Sequence, residues 1–518
     1  MSKAIKHNEI AMSEIEMGFA EKLVSLWPVI TPLAVAVVFI LARLYGGQRG
    51  FLYEGAQTML ALICFTTAAV VFVTNLFVKE GSLRRLGMIT LAAGLCFNFA
   101  GWMIRWIEAG EAEAWRGGIN GVWRYFPLDN LYPLTLGFCF GAAITTLVII
   151  RNPKYEFIGA LAMPIVVVIL ALAMLLGNDI STLPPILDSY WRPIHVSVAT
   201  IGYGVCLVSF GLAFAYLLKD GVRSEAIAIA AALFGVLIYA TVGRFAVPFH
   251  AEYGVSLFLG KSALPARATL PGVGPLMALT LAVIGISLAL FIVDWIRNDE
   301  KAKRWAWRGF RVAVALQAVV VALVFYQISR VGDVSSRVPA RELAPFGGWL
   351  AEQMKSPVMR GTEAEMARGW ISQNADSLTL SFRSNPVEIS ALIGLFVALL
   401  LVSLFAWKRD SVMASLPSLE SIDSLLYRSV SIAFPLLTML LITGAVWANE
   451  SWGRYWGWDP KEVGALVAWL AYAAFLHTRI SHGWRGRRNA YFAMIGFALV
   501  IFTWLGVSYL LPGLHSYA

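Results

Sequence analysis

The chain has 518 residues, of which 58% are hydrophobic and only 14% charged, and its mean hydropathy is +0.69. Soluble domains carry about a quarter charged residues, so this composition excludes an ordinary soluble protein. The formal net charge is +9 at pH 7, but no basic face with interleaved aromatic residues lies outside the apolar segments, which argues against a nucleic-acid partner. A polytopic membrane protein, with the lipid bilayer as its surroundings, is predicted.

Apolar segments of about 20 residues, the length that crosses a ~30 Å hydrocarbon layer as a helix, recur along the whole sequence. They predict an all-α transmembrane helical bundle of about thirteen spans. The first span is expected to be retained, because no small-residue cleavage site follows it. The predicted spans are 27–45, 57–78, 86–107, 131–150, 157–176, 194–218, 226–247, 275–296, 309–329, 387–407, 430–447, 463–480 and 490–511.

The distribution of Lys and Arg predicts the orientation of these spans. Both residues are concentrated in 297–311 and 479–488, and short basic loops stay on the cytoplasmic side. The prediction is therefore N-in/C-out. With that parity, segments 179–193, 448–462 and 512–518 all lie on the outer face.

The four cysteines lie singly within apolar segments, without a CxxC or a Cys/His cluster. This argues against thiol-disulfide exchange and cysteine-based metal binding. They are expected to be small buried hydrophobic side chains. They are Cys64, Cys96, Cys139 and Cys206.

Histidine is scarce, with six in the chain. His7 and His482 lie in polar segments and are expected to be solvated, and nothing near His250 marks it as a ligand. His195 and His515 are both predicted to lie at the outer membrane surface. Two neutral imidazoles facing each other are a natural axial pair for haem iron, but ordinary interfacial histidines remain the alternative.

His477 is predicted to lie inside a span, 14 residues beyond Val463 and thus about 21 Å along the helix axis. An ionisable residue at membrane depth is a candidate functional residue. The alternative is a snorkelling residue at the helix end beside Arg479.

The outer segment 447–462 holds four Trp, one Tyr and five charged residues in sixteen positions. Interfacial aromatic belts account for Trp and Tyr, but not for the interspersed charges and glycines. A flat macrocycle with two carboxylates suits this mixture, because indole faces pack on it while Arg454 or Lys461 meets a propionate. Asp459 followed by Pro460 is also typical of a helix N-cap.

At these residues the chain resembles a known family. The motif WGRYWGWDPKE (452–462) is similar to the tryptophan-rich "WWD" signature of haem-handling proteins and most resembles the CcsA/ResC cytochrome c assembly proteins. The similarity extends to LHTR (476–479), the terminal GLHSYA (513–518), SYWRPIHV (189–196) and FPLDNLYPL (126–134). A System I haem-handling protein is the nearest alternative.

The resemblance implies residue roles around haem b. His195 and His515 match the two outer histidines that ligate haem and serve the reaction, and His477 matches the intramembrane histidine of the haem entry site. The signature itself comprises Trp452, Trp456, Trp458 and Asp459, with Arg454 between them.

The implied function is that of a cytochrome c synthase (holocytochrome c haem lyase) subunit in a bacterial cytoplasmic membrane. It would position haem b on the outer face for thioether attachment to the CxxCH motif of apocytochrome c. Since no second histidine is predicted deep in a span, a separate CcsB/ResB-type partner is expected. A secondary transporter is a weaker alternative, because carboxylates are scarce within the spans.

The resemblance also predicts the domain organisation. A cytoplasmic tail (1–26) precedes a transmembrane region with the first outer histidine (27–221). The region 222–416 is predicted to be an inserted module of four spans, because family members usually connect the flanking regions directly, and its outer loop is 330–386. The haem-handling region is 417–518.

Overall fold

The fold is a bundle of membrane-spanning helices. The computed structural model describes residues 26–115, 118–128, 130–177, 180, 186, 188–241, 252–259, 262–329, 340–354, 362–374, 386–507 and 511. Among these residues, twelve helices are long and apolar enough to cross a membrane. The remaining predicted span, 226–247, is present in its described part as a shorter apolar helix that begins at Ser224. The predicted all-α polytopic class is therefore confirmed, whereas the N-in/C-out orientation stays a prediction.

The described helices, in chain order, are α1 (Trp27–Gly46), α2 (Glu54–Val78), α3 (Gly81–Ala112), α4 (Leu131–Ile150), α5 (Phe157–Leu176), α6 (Trp191–Lys219), α7 (Ser224–Thr241), α8 (Val273–Arg297), α9 (Glu300–Ser329), α10 (Ala340–Met354), α11 (Glu363–Gln373), α12 (Pro386–Trp407), α13 (Arg409–Ser415), α14 (Leu419–Trp452), α15 (Pro460–Ser481) and α16 (Arg487–Ile501). Helix α16 continues as a π-helical turn over Phe502–Gly506.

An antiparallel hairpin interrupts the helices, with β1 at Glu252–Leu259 and β2 at Ser262–Thr269. Glu252 pairs with Thr269 at one end and Leu259 with Ser262 at the other. This hairpin was not predicted. The sequence signal for β1 is the short apolar run 253–259. This run is too short for a membrane span, so hydropathy alone does not distinguish it from a loop.

The chain forms two compact units. Unit 1 comprises Met1–Met174, Asn178–Asp220 and Ser411–Ala518, and unit 2 comprises Leu175–Gly177 and Gly221–Asp410. That region 222–416 is a module inserted into the family's usual arrangement stays a prediction.

Small residues allow the helices of unit 1 to pack closely. A Cβ atom at Gly204 of α6 would lie 2.3 Å from the carbonyl carbon of Gly141 in α4. The two backbones therefore touch, the kind of contact that associates helices in lipid, where the hydrophobic effect between helices is absent.

In unit 2, a polar chain links three helices across the apolar core. Tyr239 of α7 donates a 2.6 Å hydrogen bond to the side-chain oxygen of Gln317 in α9. The amide nitrogen of Gln317 donates to the carbonyl of Leu392 in α12 at 2.9 Å. Two short helices, α10 and α11, occupy the long loop of this unit, and the ring of Phe346 contacts Trp370 across them.

Candidate functional site

Unit 1 contains a cavity whose empty volume, including the open solvent at its mouth, is about 1170 Å³. Residues from α4, α6, α14, α15 and the π-helical turn line it. The lining residues that carry chemistry are Arg192, His195, Trp447, Trp456 and Lys461. The first turns of α6 and α15 therefore meet at this cavity, whereas the predicted outer location of the two segments stays a prediction.

His195 lies in the first turns of α6, and its ring orientation is defined by α14. The ring nitrogen Nδ1 lies 3.0 Å from the carbonyl oxygen of Leu440 and 3.4 Å from the hydroxyl of Thr443. Because a carbonyl oxygen only accepts, Nδ1 carries a proton in this contact, so that the neutral form of the ring has its lone pair on Nε2. Histidines that ligate metals are typically oriented in this way, by donating from the other ring nitrogen.

Gly444 makes this contact with α14 possible. A Cβ atom at this position would lie 2.7 Å from Cε1 of His195 and 3.0 Å from Nδ1, a separation that real Cβ atoms do not tolerate. Helix α14 therefore needs glycine where the imidazole crosses it.

Indole rings border the imidazole. The ring of Trp447, one turn beyond Gly444, lies 5.7 Å from that of His195 at an interplanar angle of 32°. Trp447 is buried and packs with Trp191 and Trp452. Of these three rings only that of Trp447 lines the cavity, and it offers an apolar, planar face of the kind on which a flat ligand packs, whereas the predicted Trp452 is not among the lining residues.

The rest of the predicted tryptophan signature is divided by the structure. Trp456 lines the cavity, and its ring lies 5.9 Å from that of Trp458 at 89°. Trp458 has a left-handed backbone, with φ of 58°. Its side chain is 73% exposed, so it does not contribute a face to the cavity.

Asp459 caps α15, as predicted from the sequence. Its side chain accepts a 3.0 Å hydrogen bond from the backbone of Lys461, and the side chain of Glu462 completes a capping box. Glu462 also accepts from the backbone N–H groups of Gly457 at 2.8 Å and Asp459 at 3.2 Å. These bonds fix the tryptophan-rich loop to the start of the helix.

Two cations line the cavity: Lys461, which the sequence offers beside Arg454 as a partner for a propionate, and Arg192, which it does not single out. Arg192 stands one turn before His195 and is 3% exposed, and its guanidinium donates to the carbonyl of Arg124 at 3.0 Å. Lys461 belongs to the first turn of α15. The i, i+3 spacing of Arg192 and His195 on one helix face was the signal available in the sequence.

Arg454, the other cation that the sequence offers for a propionate, is exposed and is not among the cavity-lining residues. Its guanidinium lies against Gly457, where a Cβ atom would be 2.7 Å from Nε. The structure therefore associates Arg454 with the loop backbone.

Of the other histidines, His477 and His482 are described, and neither is among the residues that line this cavity. His477 is exposed on α15, about 24 Å along the helix from Lys461 at 1.5 Å per residue. Its ring lies 5.5 Å from that of His482, which is also exposed. His7, His250 and His515 lie outside the described residues.

A second polar cluster lies beside the cavity, on the other side of α4. Glu54, fully buried at the start of α2, accepts hydrogen bonds from the hydroxyls of Tyr132 and Thr58. The guanidinium of Arg105 lies 5.0 Å from the centre of the Tyr132 ring. Glu54 and Arg105 thus both contact Tyr132, and charged residues buried in membrane helices need partners of this kind.

Comparison with known proteins gives one consistent result. A family model described as "Cytochrome C assembly protein" matches residues 128–315 and 384–515, which is more than half of the chain. The family model thus matches parts of the region 222–416, which is predicted to be an insertion. Within that region, 316–383 is unmatched.

Curated relatives match shorter segments. Proteins named "Cytochrome c biogenesis protein CcsA" are 50% identical over 113 residues in Guillardia theta, 59% over 98 residues in Prochlorococcus marinus and 55% over 98 residues in Gloeobacter violaceus. These alignments cover 22%, 19% and 19% of this chain and 38%, 31% and 29% of the relatives. The chain thus matches about a third of the length of these relatives. The family model, by contrast, matches more than half of this chain. The chain belongs to the cytochrome c assembly protein family.

Proposed function

We propose that this protein receives haem b in the cavity of unit 1 and presents it for covalent attachment to apocytochrome c. The observation that carries the proposal is the combination of residues in one cavity. An imidazole of defined tautomer, indole faces and two cations converge there. Iron, a flat macrocycle and two propionates are the matching groups of haem.

Each side chain has a distinct role in this proposal. His195 coordinates the iron through Nε2 while Leu440 holds Nδ1. Trp447 and Trp456 pack on the macrocycle. Arg192 and Lys461 meet the propionates through charge-assisted hydrogen bonds.

His515 is proposed as the second axial ligand, on the family resemblance of GLHSYA. It lies outside the described residues, so this assignment rests on the sequence. Asp459 is proposed to act by holding the tryptophan-rich loop in place through its cap.

The covalent chemistry belongs to the substrates. Each cysteine thiol of the CxxCH segment adds across a haem vinyl group, forming one C–S and one C–H bond, so the addition needs no oxidant or reductant. Both thiols must be reduced beforehand. The chain contributes orientation and iron ligation, which is the usual share of a protein in cofactor chemistry.

A separate entry site at His477 is proposed for the other end of α15. The exposure of His477 on its helix supports a site completed by a second chain, and a CcsB/ResB-type protein is the proposed partner. The outer face and a bacterial cytoplasmic membrane are proposed for the cavity on the basis of the Lys and Arg distribution.

The test is complementation in cells whose cytochrome c maturation depends on this chain. His195→Ala should reduce the yield of holocytochrome c to background, whereas His482→Ala should leave it unchanged. Both variants must accumulate in the membrane at the level of the parent protein. A normal yield with His195→Ala would refute the assignment of this cavity.

A further inference from the structure

Unit 2 contains a cleft whose character is opposite to that of the apolar cavity. It has an empty volume of about 840 Å³, and its charged lining residues are Arg223, Glu225, Lys303, Arg311 and Arg409. These residues come from the start of α7, the first turns of α9 and the start of α13. Four cations and one carboxylate thus line the cleft.

The acidic residues of unit 2 neutralise only part of this charge. Glu225 lies 3.6 Å from both Arg223 and Lys303, and the buried Asp294 lies 2.8 Å from Arg223. Lys303 also lies 3.5 Å from Glu300.

The other two cations have no carboxylate among the described residues. Arg409 donates to neutral groups, the hydroxyl of Ser224 at 2.8 Å and the carbonyl of Val222 at 3.0 Å. Arg311 is exposed and forms no ion pair with any residue that the structure describes. The cleft therefore keeps a positive excess that suits an anion.

Exposed tryptophans near the cleft indicate the level at which it lies in the membrane. Trp295, Trp305 and Trp407 stand at the same helix ends and are 51%, 60% and 67% exposed. Each ring has a cation over it, Arg223 at 5.3 Å, Arg308 at 4.9 Å and Lys408 at 4.9 Å respectively.

Tryptophan paired with Lys or Arg is the pattern of the membrane–water interface. Lipid phosphates occupy that level. We propose that this cleft binds a phosphate group, supplied at this depth by the headgroup of an anionic lipid. Arginine favours phosphate because its planar fork makes paired hydrogen bonds.

The test uses the full chain, purified in detergent, stripped of lipid and examined by native mass spectrometry. The probes are phosphatidylglycerol, phosphatidylcholine and inorganic phosphate. Phosphatidylglycerol should bind more tightly than zwitterionic phosphatidylcholine. Arg311→Gln should weaken its binding about fivefold, the factor that corresponds to ~1 kcal/mol for one basic residue near a lipid surface.

Lys301→Gln is the matched control, since Lys301 is an exposed cation on α9 that does not line the cleft. Its binding should equal that of the parent, and Arg311→Lys should retain most of it. Lipid binding is compared only among variants whose thermal midpoint of unfolding equals that of the parent protein.

The competing outcomes are distinct. If inorganic phosphate binds without lipid and loses affinity in Arg311→Gln, the phosphate site stands and its source is soluble. Equal losses in Arg311→Gln and Lys301→Gln, or equal binding of the two lipids, would overturn the proposal. Those results would show only diffuse attraction to a basic surface.

Discussion

At the scale of single residues, the position of His195 depends on a glycine in another helix. The absent side chain at Gly444 creates the space that the imidazole occupies. The sequence marks the histidine as a candidate ligand but does not mark this glycine. The contact between α6 and α14 joins positions about 250 residues apart. No local pattern records such a contact.

Gly444→Ala is expected to displace the imidazole and lower haem occupancy, although every proposed ligand remains. The added Cβ would meet Cε1 at 2.7 Å, and overpacking of this kind costs about 1–3 kcal/mol. Haem content per protein, read from the absorption spectrum, is the measurement. Gly211→Ala is the control, because its Cβ would lie 3.5 Å from Leu161, an ordinary contact. Equal haem content in both variants would contradict the positioning role.

The cations of the cavity give a second prediction at this scale. Lys461→Gln should weaken haem binding about tenfold, because a hydrogen bond to a charged group contributes roughly 1.5–3 kcal/mol. Arg454→Gln, which changes an exposed cation in the same loop, should have little effect. A haem titration of each purified variant distinguishes them, and a larger loss for Arg454→Gln would favour the original sequence-based assignment.

At the scale of elements, the sequence predicted the helices well because span length and hydropathy are local properties. The start of α15 was also predictable, since Asp459 and Pro460 form a local capping signal. Its partner Glu462 belongs to the same motif. The division of the tryptophan signature was not predictable, because the left-handed backbone at Trp458 directs that ring away from the cavity-lining position of Trp456.

The cap predicts how substitutions at Asp459 should behave. Asp459→Ala should destabilise the start of α15 by about 1 kcal/mol, whereas Asp459→Asn retains an N-cap. We therefore expect Asp459→Ala to lower both the thermal midpoint and the yield of holocytochrome c, and Asp459→Asn to lower neither substantially. If Asp459→Asn is stable but inactive, the carboxylate acts directly on haem or apocytochrome.

At the scale of the whole molecule, the two units hold different chemistry. The cavity of unit 1 has a mostly apolar lining with indole rings, an imidazole and two cations, whereas the charged lining of the unit 2 cleft is four cations and one carboxylate. The family resemblance predicts that 222–416 is an inserted module, and this stays a prediction. The sequence could not predict the basic cleft, because its residues come from different helices and the first and last of them are about 185 positions apart.

The membrane orientation is a testable prediction at this scale. A protease site inserted between α10 and α11 should be cut by protease added to spheroplasts, because this loop is predicted to lie outside. A site inserted at Gly483, in a loop predicted to be cytoplasmic, should be protected until the membrane is opened. The reverse pattern would show that the Lys and Arg bias was misinterpreted.

The central claim is that His195 ligates haem in the cavity of unit 1. The most direct measurement is the absorption spectrum, oxidised and reduced, of the purified chain expressed with and without a CcsB-type partner. The account predicts a bis-histidine haem b spectrum that is lost in His195→Ala and retained in His482→Ala. An unchanged haem spectrum in folded His195→Ala protein would contradict the account.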